Sequence, residues 1–497
     1  MTTAVADVWF PPSTGYTRRR RLRRIGTVAV VVLALMAAGM HGVLSSPPKL
    51  TDAADTFDQS LEDIMERIRA ENAKVMAGHP DAYATIVALL PMSGDAAETG
   101  LGLDSIRHAL QGAHLAQLWR NADPSAAPYI RLLVGSITSD EWEDTVEELE
   151  RRVESERITG VIGLGNSVDA TKRVIGRLSQ TKIAMVAAVI TSDELQGHEA
   201  LVRVAPLNND QAEAAVRFAE RAVPVLKPIT VTDTNSRDSY TKSLSESFEN
   251  TLASVVVAKH RSRPLTFDSS VKSAGTVIGN IADKICNSDA NTVFYAARSQ
   301  HLPTLLQGLS RSRPCVERGM TVIAGDDASE ISKPVKDPRW ADSGGKIRLY
   351  RTALAHGANV SDPDSRVLDA IKARFGAKDT KGYARLFGAE PLDDGHAIMH
   401  HDALYLTIKA IDRYARDLDE LGPEEVAAML RSGTVSVDGA SGKIEIGHDG
   451  NSLKREVPIL RLDPYGNTSF AQWASPQPIG DRAWQDDRAV RIRRSGR

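Results

Sequence analysis

Between residues 83 and 324 short apolar runs alternate with amphipathic stretches of helical period, and this alternation restricts the fold more than any other feature. Residues 84–90 form an apolar run broken only by Thr85 and closed by Pro91, as a buried strand would be. Further strands are predicted at 129–134, 160–164 and 183–189, with helices at 106–120, 141–156 and 168–178 between them. Strands separated by helices make βαβ units and a parallel sheet covered on both faces. The pattern then restarts. Helices at 209–223, 240–252, 271–285 and 302–309 alternate with strands at 228–232, 255–258, 292–296 and 321–324. Two such runs predict an α/β protein of two lobes, each a doubly wound parallel sheet. A strand at 348–354, helices at 365–374, 396–415 and 423–431, and a hairpin at 434–446 complete the pattern. Residues 465–497 lack periodicity and read as a disordered tail.

The amino terminus sets the compartment. Arg18, Arg19, Arg20, Arg21, Arg23 and Arg24 precede residues 25–44, which hold no formally charged side chain. A helix of that length spans about 30 Å of hydrocarbon. Lys49 is the sole basic residue between this stretch and Arg67, so the positive-inside rule puts 1–24 in the cytoplasm and the rest outside. A cleaved signal peptide is the competing reading, with Ala37, Ala38 and Gly39 as small residues for cleavage. Both readings expect an extracytoplasmic main domain; we take the uncleaved signal anchor in the cell membrane. Residues 45–82 read as a linker followed by an amphipathic helix marked by Phe57, Leu61, Ile64, Ile68 and Val75. Cys286 and Cys315 would then face an oxidising compartment, where two thiols form a disulfide more readily than they stay as separate buried thiols.

Composition excludes several functions. The chain has 61 basic and 64 acidic residues, a net charge of −3, which argues against a nucleic-acid partner. Two cysteines exclude a four-thiolate iron–sulfur cluster and a four-cysteine zinc site. No Gly-x-Ser-x-Gly elbow, P-loop or His-Glu-x-x-His is present. Gly163-Leu164-Gly165 follows a strand but lacks the third glycine of a dinucleotide loop, so it reads as a tight turn. His396, His400, His401 and Asp402 form the densest group of metal-ligand types, yet they sit on an apolar helix and read as structural. No nucleophile–base pair stands out, so we expect neither an enzyme nor a cofactor.

What remains is binding. In open α/β sheets ligands lie beyond the carboxyl ends of the strands, which between two lobes means the cleft. The polar residues just after strands are Ser93, Asn166, Ser167, Thr191, Ser236, Arg237, Arg298, Asp326 and Asp327. Hydroxyls suit a carboxylate and an acidic side chain suits an amine, while each alone is also a good helix cap.

Motifs spread over residues 83–463 give the chain a family likeness. Val87-Ala88-Leu89-Leu90-Pro91-Met92-Ser93-Gly94 opens it, and Val161-Ile162-Gly163 is followed by Ser167. Thr191-Ser192-Asp193-Glu194-Leu195 and Arg203-Val204-Ala205-Pro206 with Gln211 come next. Asp402-Ala403 and Gly439-Ala440-Ser441-Gly442-Lys443-Ile444 with Gly450 close the series. This text resembles the type I periplasmic binding proteins of the leucine/isoleucine/valine-binding class, the substrate-binding components of branched-chain amino-acid ABC transporters. The resemblance implies two lobes joined by crossover strands that close on a ligand by a hinge. It implies that Ser167 and Thr191 bind a carboxylate and Asp326 an amine, with Ser93 nearby. It also places Arg237 and Arg298 where the family has aromatics, which favours an anionic group or a pair with Asp326. The expected lobes are 83–205 with 328–438, and 206–327 with 439–464. The expected function is capture of a small polar, amino-acid-like or anionic solute, for an ABC permease or for a membrane signalling partner. The alternative is a protein-interaction module that kept the fold and lost its ligand.

Overall fold

The apolar runs become strands because each has two faces to bury. The computed structural model describes residues 48–331, 338–362, 365–388, 392–414, 420–453 and 455–475. The cytoplasmic segment 1–24 and the membrane span expected at 25–44 lie outside the described residues. Among the described residues no helix is long and apolar enough to cross a membrane.

The first half of the chain runs β1 (Leu50–Thr51), α1 (Glu62–Gly78), β2 (Tyr83–Leu90), α2 (Leu103–Asn121), β3 (Tyr129–Ser136), α3 (Trp142–Arg152), β4 (Ile158–Gly163), α4 (Asp169–Gln180), β5 (Met185–Ala187) and β6 (Leu201–Arg203). These strands form a six-stranded sheet in the order β1-β3-β2-β4-β5-β6. All eight residues of β2 are buried. That requires cover on both faces, which is the burial expected of parallel strands.

The second sheet follows from α5 (Asn208–Ala222), β7 (Pro228–Asp233), α6 (Ser239–Val255), β8 (Leu265–Phe267), α7 (Ala274–Cys286), β9 (Thr292–Ala296), α8 (Leu302–Arg311), β10 (Met320–Ala324) and β11 (Ile347–Thr352). The chain continues as α9 (His396–Tyr414), α10 (Pro423–Arg431), β12 (Ser436–Gly439), β13 (Gly442–Glu445), β14 (Val457–Leu462) and β15 (Thr468–Ala474). Seven strands pair in the order β15-β14-β11-β10-β9-β7-β8. One face packs on Ile278, Ile281 and Leu305 of α7 and α8. The other packs on Leu244 and Phe248 of α6 and the alanines of α5. Each lobe is thus wound on both faces, as predicted.

The sheets are mixed rather than purely parallel. β1 joins β3 antiparallel, and β14 and β15 extend β11 antiparallel. β14 enters from a chain crossing and β15 follows it through a short turn, so neither is joined to its neighbour by a βαβ unit. The expected linker therefore contains a strand: Leu50 is buried, and the backbone N–H groups of Lys49 and Leu50 donate to Glu148. The expected tail contains β15, which pairs along β14 from Thr468 to Ala474.

The lobe boundaries also differ from expectation. β11 lies parallel to β10, so residues 347–352 belong to the second lobe and not the first. The hairpin residues Val437, Ala440 and Ile444 join the first lobe's core together with α9 and α10. The strand expected at 255–258 is absent. The Val256 N–H donates to the Leu252 carbonyl, so the helix ladder runs on, and Val257 is exposed with no sheet to cover it.

α2 and α9 pack closely in the first lobe. A methyl group on Gly112 would lie 1.9 Å from the Ala397 carbonyl oxygen, so only glycine fits there. In the second lobe Cys286, ending α7, is bonded to Cys315 in the short helix Arg313–Arg318, with Cα atoms 5.0 Å apart. The pairing expected from the compartment is present.

Candidate functional site

The carboxyl ends of the parallel strands in both sheets face a cavity of about 310 Å³. Its first-lobe wall includes Glu98, Thr138, Trp142 and Asn166; its second-lobe wall includes Asp233, Arg237, Asp238, Arg298 and His301. The volume lies at the lower end of the ~300–1,000 Å³ usual for small-molecule sites.

The turn after β4 brings the chain back over the sheet. Gly163, Leu164 and Gly165 all have positive φ (90°, 68° and 64°), so the expected tight turn is present. A Cβ on Gly165 would come within 3.0 Å of Pro91. The turn delivers Asn166, whose side-chain amide donates to the Gly100 carbonyl at 2.9 Å. It also delivers Ser167, whose hydroxyl accepts from the Ser192 N–H at 3.3 Å.

Arg298 fills the deep part of the cleft. Its Nε and Nη2 donate to the two carboxylate oxygens of Asp238, at 2.7 and 3.0 Å. Nη1 donates to Asp327 Oδ1 at 2.6 Å, and Nη2 reaches the Ser167 carbonyl across the lobes at 3.4 Å. The guanidinium lies 4.4 Å from the centre of the Tyr240 ring. Burial works against its charge, but Asp238 and Asp327 outweigh it and hold the pKa well above the usual arginine value. One cation shared by two carboxylates compensates neither fully. Burial pushes Asp327 up to about 6, despite Arg298. Asp238 is fixed independently, because it caps α6 by accepting from the Tyr240 and Thr241 N–H groups.

The candidate residues are distributed unevenly. Arg237 and Arg298 line the cavity, as does Asn166. Ser93 is exposed on a turn, where its hydroxyl accepts from the Asp95 N–H at 3.4 Å. Thr191 is buried and its carbonyl accepts from the Asn208 N–H, so that stretch joins β5 to α5. Neither residue is among the cavity's lining, nor is Asp326. Arg298 pairs with Asp238 and Asp327 rather than with Asp326. Asp326 instead has a buried oxygen without a partner, and burial raises its pKa. Asp233 and His301 also line the cavity and are not among the candidates read from the sequence. Asp233 is the first residue after the predicted strand 228–232, so the rule that selected Ser93 and Asn166 also reaches it.

A second junction ties the lobes together. Glu330, just beyond β10, accepts from the Gly102 N–H at 3.2 Å and from the Ser105 hydroxyl at 2.6 Å, both at the start of α2. It also meets His396 Nε2 at 3.2 Å. Burial pulls the His396 pKa down, but Glu330, Asp394 and Asp326 together raise it. His400 Nδ1 donates to the His396 carbonyl, and burial with His396 nearby pushes its pKa down to about 3. His401 pairs with Asp402, which accepts from the Ala440 and Ser441 N–H groups and the Ser441 hydroxyl at 2.5–2.8 Å. Each imidazole thus has a separate task. Among the described residues no three metal-binding side chains converge.

The crossings are held by buried arginine. Arg203 donates from Nη1 to the Ser192 carbonyl at 2.6 Å and from Nε to Asn451 Oδ1 at 2.9 Å, and burial lowers its pKa to about 10. Gln211 accepts from the Thr352 hydroxyl at 2.5 Å.

No family model matches the chain, and no curated protein matches it. Solved structures do. A leucine-binding protein from Thermotoga maritima superposes with a TM-score of 0.58 at 19% identity, covering 79% of this chain and 99% of that one. The branched-chain amino-acid transporter substrate-binding protein of Streptococcus pneumoniae, solved with isoleucine, gives 0.58 at 15% identity, covering 79% and 100%. A solute-binding protein of an R. palustris ABC transporter, solved with benzoate, gives 0.57 at 13% identity, covering 81% and 98%. The chain is similar to these proteins over nearly their whole length. The likeness shows the two-lobed type I periplasmic-binding-protein fold, and these neighbours are solute-binding proteins rather than enzymes.

Proposed function

We propose that this protein is a membrane-anchored extracytoplasmic solute-binding protein, serving an ABC transporter or acting as a sensor. The observation that carries the reading is the cavity of about 310 Å³ at the strand ends, with polar walls from both lobes. The solute is small and polar. It lies on the outer side of Arg298, because that side chain and its two carboxylates fill the deeper position. The anchor rests on the uncharged residues 25–44 behind a basic run. A thermal-shift screen of the full-length protein against amino acids, amines, small peptides and organic acids tests the reading. A ligand at about 100 times its dissociation constant stabilises by about 2.7 kcal/mol. A hit that is lost in Asn166→Ala supports it, and a hit that survives in variants of both walls refutes it.

The Arg298 network favours a second reading, a protein-interaction module whose cleft is closed by its own side chains. No shift across the screen, together with a stable complex with a neighbouring membrane protein, supports that alternative.

A further inference from the structure

Two polar atoms on the second-lobe wall of the cavity are buried and unpartnered. Asp233 ends β7 and is 2% exposed. Its Oδ1 is occupied, accepting from the N–H groups of Asn235 and Ser269 at 3.0 and 2.9 Å. Its Oδ2 is buried without a hydrogen-bond partner. His301, at the start of α8, presents a buried Nε2 that also has no partner. Its ring is held edge-on by Phe267, with centroids 5.6 Å apart, so the nitrogen's position is set by packing. Both residues line the cavity. Buried polar atoms are nearly always satisfied in folded proteins, so two orphans on one cavity wall mark a place for a polar guest.

The charges of the lining narrow the guest's chemistry. Asp169 pairs with Arg173 at 2.8 Å, and Asp238 pairs with Arg298. Asp233 has no ion-pair partner among the described residues. A buried carboxylate without a cation is costly, and a hydroxyl or a water would satisfy its hydrogen bond without compensating its charge. Burial pushes the His301 imidazole down, against the pull of Asp233, which favours the uncharged ring. An uncharged ring with its proton on Nδ1 offers Nε2 as an acceptor. Two acceptors on one cavity wall match a group that carries positive charge and several donors. Arg237, exposed at the rim, complements an anionic group on the same solute.

We propose that Asp233 Oδ2 and His301 Nε2 form a subsite for a side-chain or terminal ammonium or guanidinium group of the solute, distinct from any α-amine. The inference rests on the solute-binding reading and specifies its ligand class, a cation-bearing compound such as a basic amino acid or a polyamine. The full-length protein is titrated calorimetrically with L-lysine, L-arginine and putrescine, and with L-norleucine, L-citrulline and 1,4-butanediol, which lack the side-chain or terminal cation. At least one cationic compound is expected to bind tenfold or more tightly than its counterpart. That preference should vanish in Asp233→Asn and weaken in His301→Gln, with melting curves confirming that both variants fold. Equal binding within each pair, or a preference that survives in Asp233→Asn, overturns the subsite and leaves the solute-binding reading standing. Binding of only anionic or neutral members of the wider screen has the same effect. No binding by any compound overturns both.

Discussion

Replacing Arg298 by methionine tests whether the deep cleft is held by its charge network. Methionine keeps much of the side-chain stem and removes the guanidinium. Arg298 is 14% exposed, Asp238 9% and Asp327 3%, so solvent does little to soften the loss. Removing one partner of a buried ion pair costs about 3–5 kcal/mol. The pH dependence follows from Asp327. Its folded pKa of about 6 lies above the ordinary 3.8, so the folded state binds this proton more tightly. Stability therefore falls as pH rises from 3.8 to about 6 and stays lower above that window. The shift corresponds to about 3 kcal/mol at about 1.36 kcal/mol per unit. Without Arg298 the Asp327 pKa rises further, so the variant's deficit should be largest near pH 8 and narrow toward pH 5. Equilibrium denaturation followed by tryptophan fluorescence at both values measures it. A deficit below about 1 kcal/mol at pH 8, or one that widens on acidification, would refute the argument.

Three further outcomes are expected. Glu330→Gln should cost about 1.5–3 kcal/mol at pH 6, by weakening charged hydrogen bonds between the lobes. His396 has a raised pKa, so its contribution is full below the ordinary 6.5 and fades as pH rises through its folded value. The penalty in denaturation curves should shrink by pH 8.5. Asp402→Ala should cost about 3–5 kcal/mol, because three donors of the β12–β13 turn lose a buried carboxylate. The Asp402 pKa is lowered by His401 and Ser441 despite burial, so this stabilisation is present above the ordinary carboxylate range and lost as pH falls through its folded value. Changing Cys286 and Cys315 together to serine should cost roughly 3 kcal/mol in the chain-entropy model, and a reductant acting on the wild type should reproduce the loss.

Local pattern made much of this protein legible. The largely apolar runs at β2 and β4 read as strands covered on both faces, and both lie fully buried. The helix at α10 spans Pro423–Arg431, where its period and its amino-terminal proline place it. Two cysteines in a domain expected outside the cytoplasm were enough to expect the disulfide, and motifs scattered along the chain were enough for the fold. Periodicity reports burial within a few residues, so it locates elements well and says little about their partners. The residues that shape the cleft are joined by contacts of long range. Arg298 meets Asp238 and Asp327, 60 and 29 residues away, and Glu330 reaches Gly102 across 228. Whether a polar residue after a strand faces the cavity, caps a helix or clasps the other lobe depends on how the two sheets are set against each other. That arrangement comes from crossings at 204–207, 353–356 and 446–456, which no local pattern encodes. Tertiary structure therefore decided that Arg298 pairs with Asp238 and Asp327 and that Asp233 and His301 share one cavity wall, because charge compensation depends on distance in space and not on order along the chain.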